Sequence, residues 1–224
     1  MLIPSIDLMG GKVVQLVQGQ RKALEFDDFQ PWVDRFSKYK LVQLIDLDAA
    51  MGRGDNRQLV REFASQLPCQ VGGGIRSLET AASILHAGAQ RVILGSSLIS
   101  AGAINAAFAS DAAIEFGPEK LVFAADCRGG QVAIKGWQET TTITALEMLR
   151  ALEPFCCAFL YTNIDTEGLL QGIPLDVIRE LRKATSRQFI AAGGIRSEEE
   201  IAELDAMDVD AVVGMAIYTG LLQA

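Results

Sequence analysis

The sequence predicts an α/β fold, a closed (βα)8 TIM barrel with a two-fold internal half-barrel repeat. Short apolar runs alternate with amphipathic segments along all 224 residues, a length that suits one barrel domain. Positions in the first half also recur 119 residues later; the pairs are Asp7 and Asp126, Gly10-Gly11 and Gly129-Gly130, and Asp46 and Asp165. We therefore expect one barrel over 1–224, with internal repeats of roughly 1–119 and 120–224.

The predicted strands carry Val, Ile, Leu and Phe with little polar alternation, which is typical of parallel strands covered on both faces. They lie at 2–7, 41–46, 69–71, 91–94, 121–126, 157–162, 188–192 and 210–213. Helical segments lie near 30–38, 56–66, 78–87, 101–116, 141–152, 174–185, 197–206 and 216–222. Ser197 followed by three glutamates predicts a capped helix start, and Thr140-Thr141-Thr142 predicts another.

A doubly wound open sheet is the alternative architecture. Its dinucleotide signature requires Gly-x-Gly-x-x-Gly between the first strand and a helix. In this sequence Gly10-Gly11-Lys12 instead precedes a second β-like run at 13–17, which favours the barrel.

Charge and composition exclude several classes of function. The net charge is −8 and the longest basic clusters are pairs such as Arg21-Lys22, so nucleic acid is not expected as a partner. The apolar runs are too short to span a membrane, and the N-terminal segment reads as a strand and not as a signal peptide. Four cysteines without metal-ligand spacing indicate reduced thiols. We expect a cytoplasmic chain, acting as a monomer.

Histidine chemistry is also excluded. The single histidine, His86, ends a helix-like segment, so neither a His-based triad nor a zinc site is expected. Proton transfer then falls to carboxylates, or as weaker alternatives to cysteine, lysine or tyrosine.

Asp7 and Asp126 are the predicted acid–base pair. Each ends a buried apolar strand, and the active sites of barrels form at the carboxyl ends of the strands. The first and fifth strands lie on opposite sides of the mouth, so the two carboxyl groups are expected to face each other. A single such aspartate is usually structural, but two in matching positions favour a catalytic role.

Four glycine-containing loops predict two anion sites. Glycine lets the main chain approach an anion closely, and the helix that follows offers free N–H groups. The predicted phosphate-binding residues are Gly73, Gly74, Arg76, Gly95, Ser96, Gly193, Gly194, Gly214 and Met215. Two matched sites indicate a small molecule with a phosphate at each end.

Four further residues have two interpretations each. Asp46 and Asp48 are candidate metal ligands, although turn bracing is favoured because no further carboxylate joins them. Trp137 lies on the fifth loop, where it either stacks on a flat heterocycle or plugs the loop. Thr162 either hydrogen-bonds a substrate or a carboxylate, or is an ordinary residue at the end of a strand.

Together these residues resemble the ProFAR isomerases of histidine biosynthesis, where ProFAR is phosphoribosylformimino-5-aminoimidazole carboxamide ribotide. The resemblance covers 3–218, and its most discriminating segments are Leu16-Val17-Gln18-Gly19 and Gly136-Trp137. It implies an Amadori rearrangement of a bisphosphorylated nucleotide to PRFAR, with Asp7 as base and Asp126 as acid. It also implies substrate contacts from Gln18, Gly19 and Glu167. The reaction that it implies needs no metal and no cofactor, because the imine is itself the electron sink.

The sequence departs from the family pattern at three positions. Gln15 stands where the family commonly has Arg, Gln43 where it has His, and Glu167 where it has Asp. Two alternative functions remain open. One is a dual-substrate isomerase that also accepts phosphoribosyl anthranilate, and the other is a barrel that binds phosphate compounds without catalysis. The related cyclase of the same pathway shares the barrel and the paired aspartates, but not the two discriminating segments.

Overall fold

The computed structural model describes residues 1–223. Its strands are β1 (Leu2–Met9), β2 (Lys12–Val17), β3 (Arg21–Phe26), β4 (Val42–Asp46), β5 (Cys69–Gly72), β6 (Arg91–Leu94), β7 (Ile99–Ser100), β8 (Ala103–Ile104), β9 (Leu121–Arg128), β10 (Gln131–Ile134), β11 (Glu139–Thr144), β12 (Ala158–Asn163), β13 (Gln188–Ala192) and β14 (Val209–Val213). Its α-helices are α1 (Gln30–Phe36), α2 (Leu47–Met51), α3 (Arg57–Gln66), α4 (Leu78–His86), α5 (Ala106–Phe116), α6 (Ala145–Leu152), α7 (Leu175–Lys183), α8 (Glu198–Ala206) and α9 (Met215–Tyr218).

Eight parallel strands close into a barrel, as predicted. Their order is β9-β12-β13-β14-β1-β4-β5-β6, and β6 pairs with β9 to complete the ring. Three strands separate β1 from β9 in either direction, so these two strands lie on opposite sides of the barrel. Within residues 1–223, no helix combines the length and hydropathy that a membrane-spanning helix needs.

The two faces of each strand pack into different cores, which explains the lack of polar alternation. On β1, Ile6 and Leu8 point outward into the layer between the sheet and the helices, while Ile3 packs inside the barrel. Because side chains alternate along a strand, Ser5 and Asp7 share the inner face with Ile3. Asp126 likewise shares the inner face of β9 with Val122 and Ala124, and both carboxyl groups therefore reach the mouth.

Two predicted helix boundaries are wrong. Helix α5 starts at Ala106 and not at 101, because β7 and β8 pair as a small hairpin whose turn holds Ala101 at φ 49°. The segment at 216–222 is helical only over α9. By contrast, Ser197 caps α8 as predicted, accepting a hydrogen bond from the Glu200 N–H.

The predicted cap at Thr140-Thr141-Thr142 is also wrong. These residues lie in β11, which pairs with β10. Helix α6 is capped instead by Thr144, which exchanges hydrogen bonds with Glu147 in a capping box. The pairing of β11 supplies backbone partners that a helix start at 141 would forgo.

Matched geometry occurs at several positions of the two halves. A two-stranded extension follows both β1 and β9, namely β2–β3 and β10–β11. Gly73 and Gly193 have φ of 106° and 105°. However, the predicted match of Asp46 with Asp165 is wrong by two residues. Asp48 accepts from the Gly10 N–H at 2.6 Å, and Asp165 accepts from the Gly129 N–H at 2.8 Å, so Asp48 is the counterpart.

Candidate active site

One cavity at the carboxyl ends of the barrel strands collects nearly all the predicted site residues. Its wall includes Asp7, Gly19, Gly73, Gly74, Arg76, Gly95, Ser96, Asp126, Trp137, Thr162, Glu167, Gly193, Gly194, Gly214 and Met215. Gln18 is the exception, because its side-chain amide turns away and donates to the Asp165 carbonyl at 2.9 Å.

Asp7 occupies a poorly hydrated position at the end of β1. Burial of the carboxyl group raises the pKa of Asp7 to about 7, because removal from water penalises the charged form. The Ser5 hydroxyl donates to Asp7 Oδ1 at 3.3 Å, which opposes the rise. Asp7 therefore changes protonation near neutral pH, as a proton-transfer group must.

Asp126 lies across the cavity at the end of β9, where the Trp137 indole donates a hydrogen bond to it. Burial raises its pKa, while the Trp137 indole and the Thr162 hydroxyl favour the ionised form and pull the pKa down. Trp137 Nε1 lies 2.9 Å from Asp126 Oδ2. Thr162 pairs with Asp126 in register on β12, so of its two interpretations the structure supports contact with a carboxylate.

Glu167 adds a third carboxyl group to the same cavity. Burial, followed by the charges of Asp7 and Asp126, raises the pKa of Glu167 to about 8. It lines the same cavity as both aspartates, close enough for their charges to act on it. The three groups compete for protons, so their titrations belong to the cluster as a whole.

The glycine loops bring bare backbone to the cavity wall at two places. A Cβ on Gly73 would lie 2.2 Å from the Asp46 carbonyl oxygen, and one on Gly193 would lie 2.3 Å from that of Asn163. Both have positive φ, so no other residue fits without strain. Gly95 and Gly214 share a different backbone conformation, with ψ of −92° in each. These loops precede helical turns, whose free N–H groups suit anions.

Arg76 distinguishes one end of the cavity from the other. Its guanidinium donates to the Ala49 and Ala50 carbonyls at 3.2 and 2.8 Å, which holds it against the end of α2 beside the cavity. The corresponding Arg196 does not line the cavity and pairs with Glu200. Only the Gly73 end therefore carries a lining arginine within residues 1–223.

Three loops meet above the mouth. The Trp137 ring packs against Gly19, where a Cβ would lie 2.6 Å from a ring carbon. Gly168 packs equally closely on the Leu16 carbonyl, and the Gln18 N–H donates to the Glu167 carbonyl at 3.0 Å. Trp137 thus links two loops in this structure while its indole N–H contacts Asp126.

The remaining predictions for this region concern Asp46 and Asp48. Asp46 caps α2 and also accepts from the Asn56 N–H and side-chain amide at 2.6 and 2.8 Å. Asp48 receives the Gly10 N–H and the Asn56 amide. Their role in bracing turns is confirmed.

Sequence reasoning left three polar residues of the cavity wall out of the predicted site: Ser5, Gln15 and Gln43. All three are buried polar residues on strands, with at most 6% of their surface exposed. A polar residue inside an apolar strand run is the signal that could have found them, because such a group needs a partner or a ligand.

Comparison with known proteins agrees with this geometry. The chain matches the family described as "Histidine biosynthesis protein" over residues 1–223. Similar proteins named 1-(5-phosphoribosyl)-5-((5-phosphoribosylamino)methylideneamino)imidazole-4-carboxamide isomerase include one from Methanocaldococcus jannaschii, 38% identical over 99% of this chain and 94% of the relative. Another is from Thermus thermophilus, 37% identical over 99% of this chain and 96% of the relative. The mouth of this barrel holds paired aspartates between two glycine-lined ends, and the chain matches the family along its whole described length. The chain therefore belongs to the histidine biosynthesis protein family.

Proposed function

We propose that the chain is an aminoaldose–aminoketose isomerase that converts ProFAR to PRFAR by an Amadori rearrangement. The observation that carries the proposal is the placement of Asp7 and Asp126 on opposite barrel strands, facing one cavity, each with a pKa raised by burial. A raised pKa lets one carboxyl group hold a proton near neutral pH while the other accepts one. A barrel that only binds phosphate compounds has no need of such a pair.

The proposed reaction moves protons and needs no other reagent. Asp126 donates its proton to the ribose ring oxygen, and the C1–O bond breaks to give a protonated Schiff base. Asp7 then removes the C2 proton, and the electrons of that bond form a C1=C2 double bond as the imine nitrogen is neutralised. A proton returns to C1 and the C2 hydroxyl loses one, which gives the ketose. The imine itself is the electron sink, so no cofactor is called for.

The two glycine-lined ends are the proposed phosphate sites. Gly73, Gly74 and Gly95 form one with Arg76, and Gly193, Gly194 and Gly214 form the other with the buried Met215. Two sites favour a substrate with two phosphates over phosphoribosyl anthranilate, which has one. Trp137, Gly19 and Glu167 lie over and between these ends and are proposed to contact the central part of the substrate.

The proposal includes two expectations about the setting of the enzyme. One chain supplies both aspartates and both glycine-lined ends, so the proposed reaction needs no residue from a second subunit, and we expect a monomer that acts on a small molecule. All four cysteines are free thiols, which supports a reducing compartment such as the cytoplasm.

The test is the isomerase assay, in which the ultraviolet change of the aminoaldose is followed. Asp7→Asn and Asp126→Asn should each lower kcat by about 10²–10⁴-fold, the contribution typical of a general acid or base. Both variants should still bind inorganic phosphate as the unmodified protein does, because neither side chain lies in a glycine loop. Near-full turnover by either variant would remove that residue from its assigned role.

A further inference from the structure

Gln43 lies on the floor of the cavity, one layer of side chains below Asp7. On β4 it pairs in register with Ser5, while Ile45 pairs with Asp7. Gln43 is 6% exposed and lines the cavity. An amide side chain has a carbonyl oxygen that only accepts and an NH2 group that only donates. The end that faces the cavity therefore decides what Gln43 offers to a bound molecule.

A chain of hydrogen bonds below the cavity connects Gln43 to two charged side chains. Gln70 Nε2 donates to Gln43 Oε1 at 2.9 Å, and Arg91 Nη2 donates to Gln70 Oε1 at 2.8 Å. Arg91 Nη1 donates to Gln188 Oε1 at 2.6 Å. Gln188 Nε2 donates to Asp210 Oδ2 at 2.5 Å.

The charged members fix the direction of every bond in this chain. A guanidinium only donates, so Gln70 must turn its oxygen toward Arg91 and its NH2 group toward Gln43. Gln43 must then accept through its oxygen. Its own NH2 group makes no hydrogen bond to residues 1–223 and is left for the cavity. Turning any one amide over would set two donors or two acceptors against each other.

We propose that Gln43 contacts the substrate, donating from its NH2 group to the oxygen on the carbon that Asp7 deprotonates, with Gln70 and Arg91 as positioning residues. The proposal rests on the proposed isomerase function. That oxygen is one bond from the point where Asp7 acts, and Gln43 lies beside Ser5 in the layer of side chains just below Asp7. In the reaction the oxygen changes from hydroxyl to carbonyl, which only accepts, so a fixed donor stabilises the later states most.

Gln70→Glu tests this direction without changing the cavity wall. Gln70 is fully buried and does not line the cavity. A carboxylate at this position can accept from Arg91 but cannot donate, so Gln43 must turn over and present its oxygen to the substrate. The Arg91 guanidinium compensates the new charge.

The expected effect falls on kcat. Gln70→Glu should lower kcat by about 10- to 100-fold, the cost typical of an unmatched buried polar group, with KM little changed because the phosphate ends are untouched. Gln43→Met should lower kcat to a similar extent. Adding Gln70→Glu to Gln43→Met should cost no more than about threefold, since the effect passes through Gln43. An equal loss in both backgrounds would overturn the proposal.

A nuclear magnetic resonance measurement separates this proposal from the isomerase function itself. The Gln43 side-chain NH2 signal, assigned by its loss in Gln43→Met, should exchange rapidly with water and become protected in Gln70→Glu. A protected signal in the unmodified protein would show that the amide is turned the other way. If the unmodified protein does not isomerise the aminoaldose, the proposed isomerase function and the proposed substrate contact are both wrong. The exchange rate of the Gln43 NH2 signal still decides which way the Gln43 amide points.

Discussion

The hydrogen bond from Trp137 to Asp126 offers the sharpest test of the site's electrostatics. Trp137→Phe removes the indole N–H that lies 2.9 Å from Asp126 Oδ2 but keeps an aromatic ring beside Gly19. The N–H stabilises only the ionised carboxylate, so its loss must raise the pKa of Asp126 further above its usual range.

The size of the shift follows from the strength of the bond. A hydrogen bond to a charged group is worth roughly 1.5–3 kcal/mol, and one pKa unit corresponds to about 1.4 kcal/mol. With water partly replacing the lost donor, we expect the pKa of Asp126 to rise by about one unit. Thr162 keeps its contact and limits the change.

The assay is titration of the aspartate carboxyl carbons by nuclear magnetic resonance, with Asp126→Asn identifying the signal. Asp7 should keep its pKa of about 7, since its hydrogen-bond partner is Ser5 and not Trp137. The same titration in a Glu167→Gln background should show the same shift, which excludes an indirect effect through that carboxyl group. An Asp126 pKa that stays constant or falls in Trp137→Phe would refute the reasoning.

Three further predictions concern stability and binding. Glu167 has a pKa of about 8 in the folded chain and its ordinary, lower pKa in the unfolded chain, so the free energy of unfolding falls as the pH rises between these two pKa values. Glu167→Gln should therefore raise the unfolding temperature by a few degrees at about pH 9 and leave it unchanged at about pH 4, measured by circular dichroism. Gly95→Ala should keep the fold, because its methyl group would meet only Ala124 Cβ at 3.7 Å, yet it should weaken inorganic phosphate binding about tenfold in calorimetry. Gly73→Ala would place its methyl group 2.2 Å from the Asp46 carbonyl oxygen and should lower the free energy of unfolding by about 3 kcal/mol or more. Equal stability of the two variants would contradict this prediction. Thr144→Ala should cost about 1 kcal/mol in denaturant unfolding through loss of the capping box, whereas the exposed Thr142→Ala should cost little.

The barrel was predictable because its signals are local. Each strand is an apolar run bounded by glycines or polar residues. Ser197 marks the start of its helix, because its own side chain accepts the capping hydrogen bond. The errors arise where distant pairing decides. Nothing local marks Thr140-Thr141-Thr142 as a strand, because β11 exists only by pairing with β10. The hairpin of β7 and β8 depends likewise on a turn through Ala101 at positive φ, which its residue type does not favour.

The site was predictable where residue type implies function. Aspartates at strand ends and glycines before helices point to chemistry and anions, and the structure gathers them in one cavity. Gln18 was predicted from a motif, but its direction is set by the Asp165 carbonyl on another loop. Gln43 stands out in the sequence both as a polar residue inside an apolar strand and as a departure from the family pattern. Its contribution depends on which way the amide points, and Arg91 determines that from two strands away.

The contacts of Trp137 place a condition on the proposed roles of the two aspartates. In this structure Trp137 and Thr162 both favour the ionised form of Asp126, yet an acid must hold a proton when the reaction starts. The backbone at Lys135, Gly136 and Trp137 has φ of 57°, 64° and 65°. This left-handed conformation strains Lys135 and Trp137, because they carry side chains and glycine does not. A substrate ring that drew the indole away from Asp126 would remove this donor. The pKa of Asp126 would then rise as the site fills, while the cationic imine would lower that of Asp7. We therefore expect the substrate itself to separate the acid from the base, and a Trp137 indole that stays bonded to Asp126 in the product complex would assign the acid to Asp7 instead.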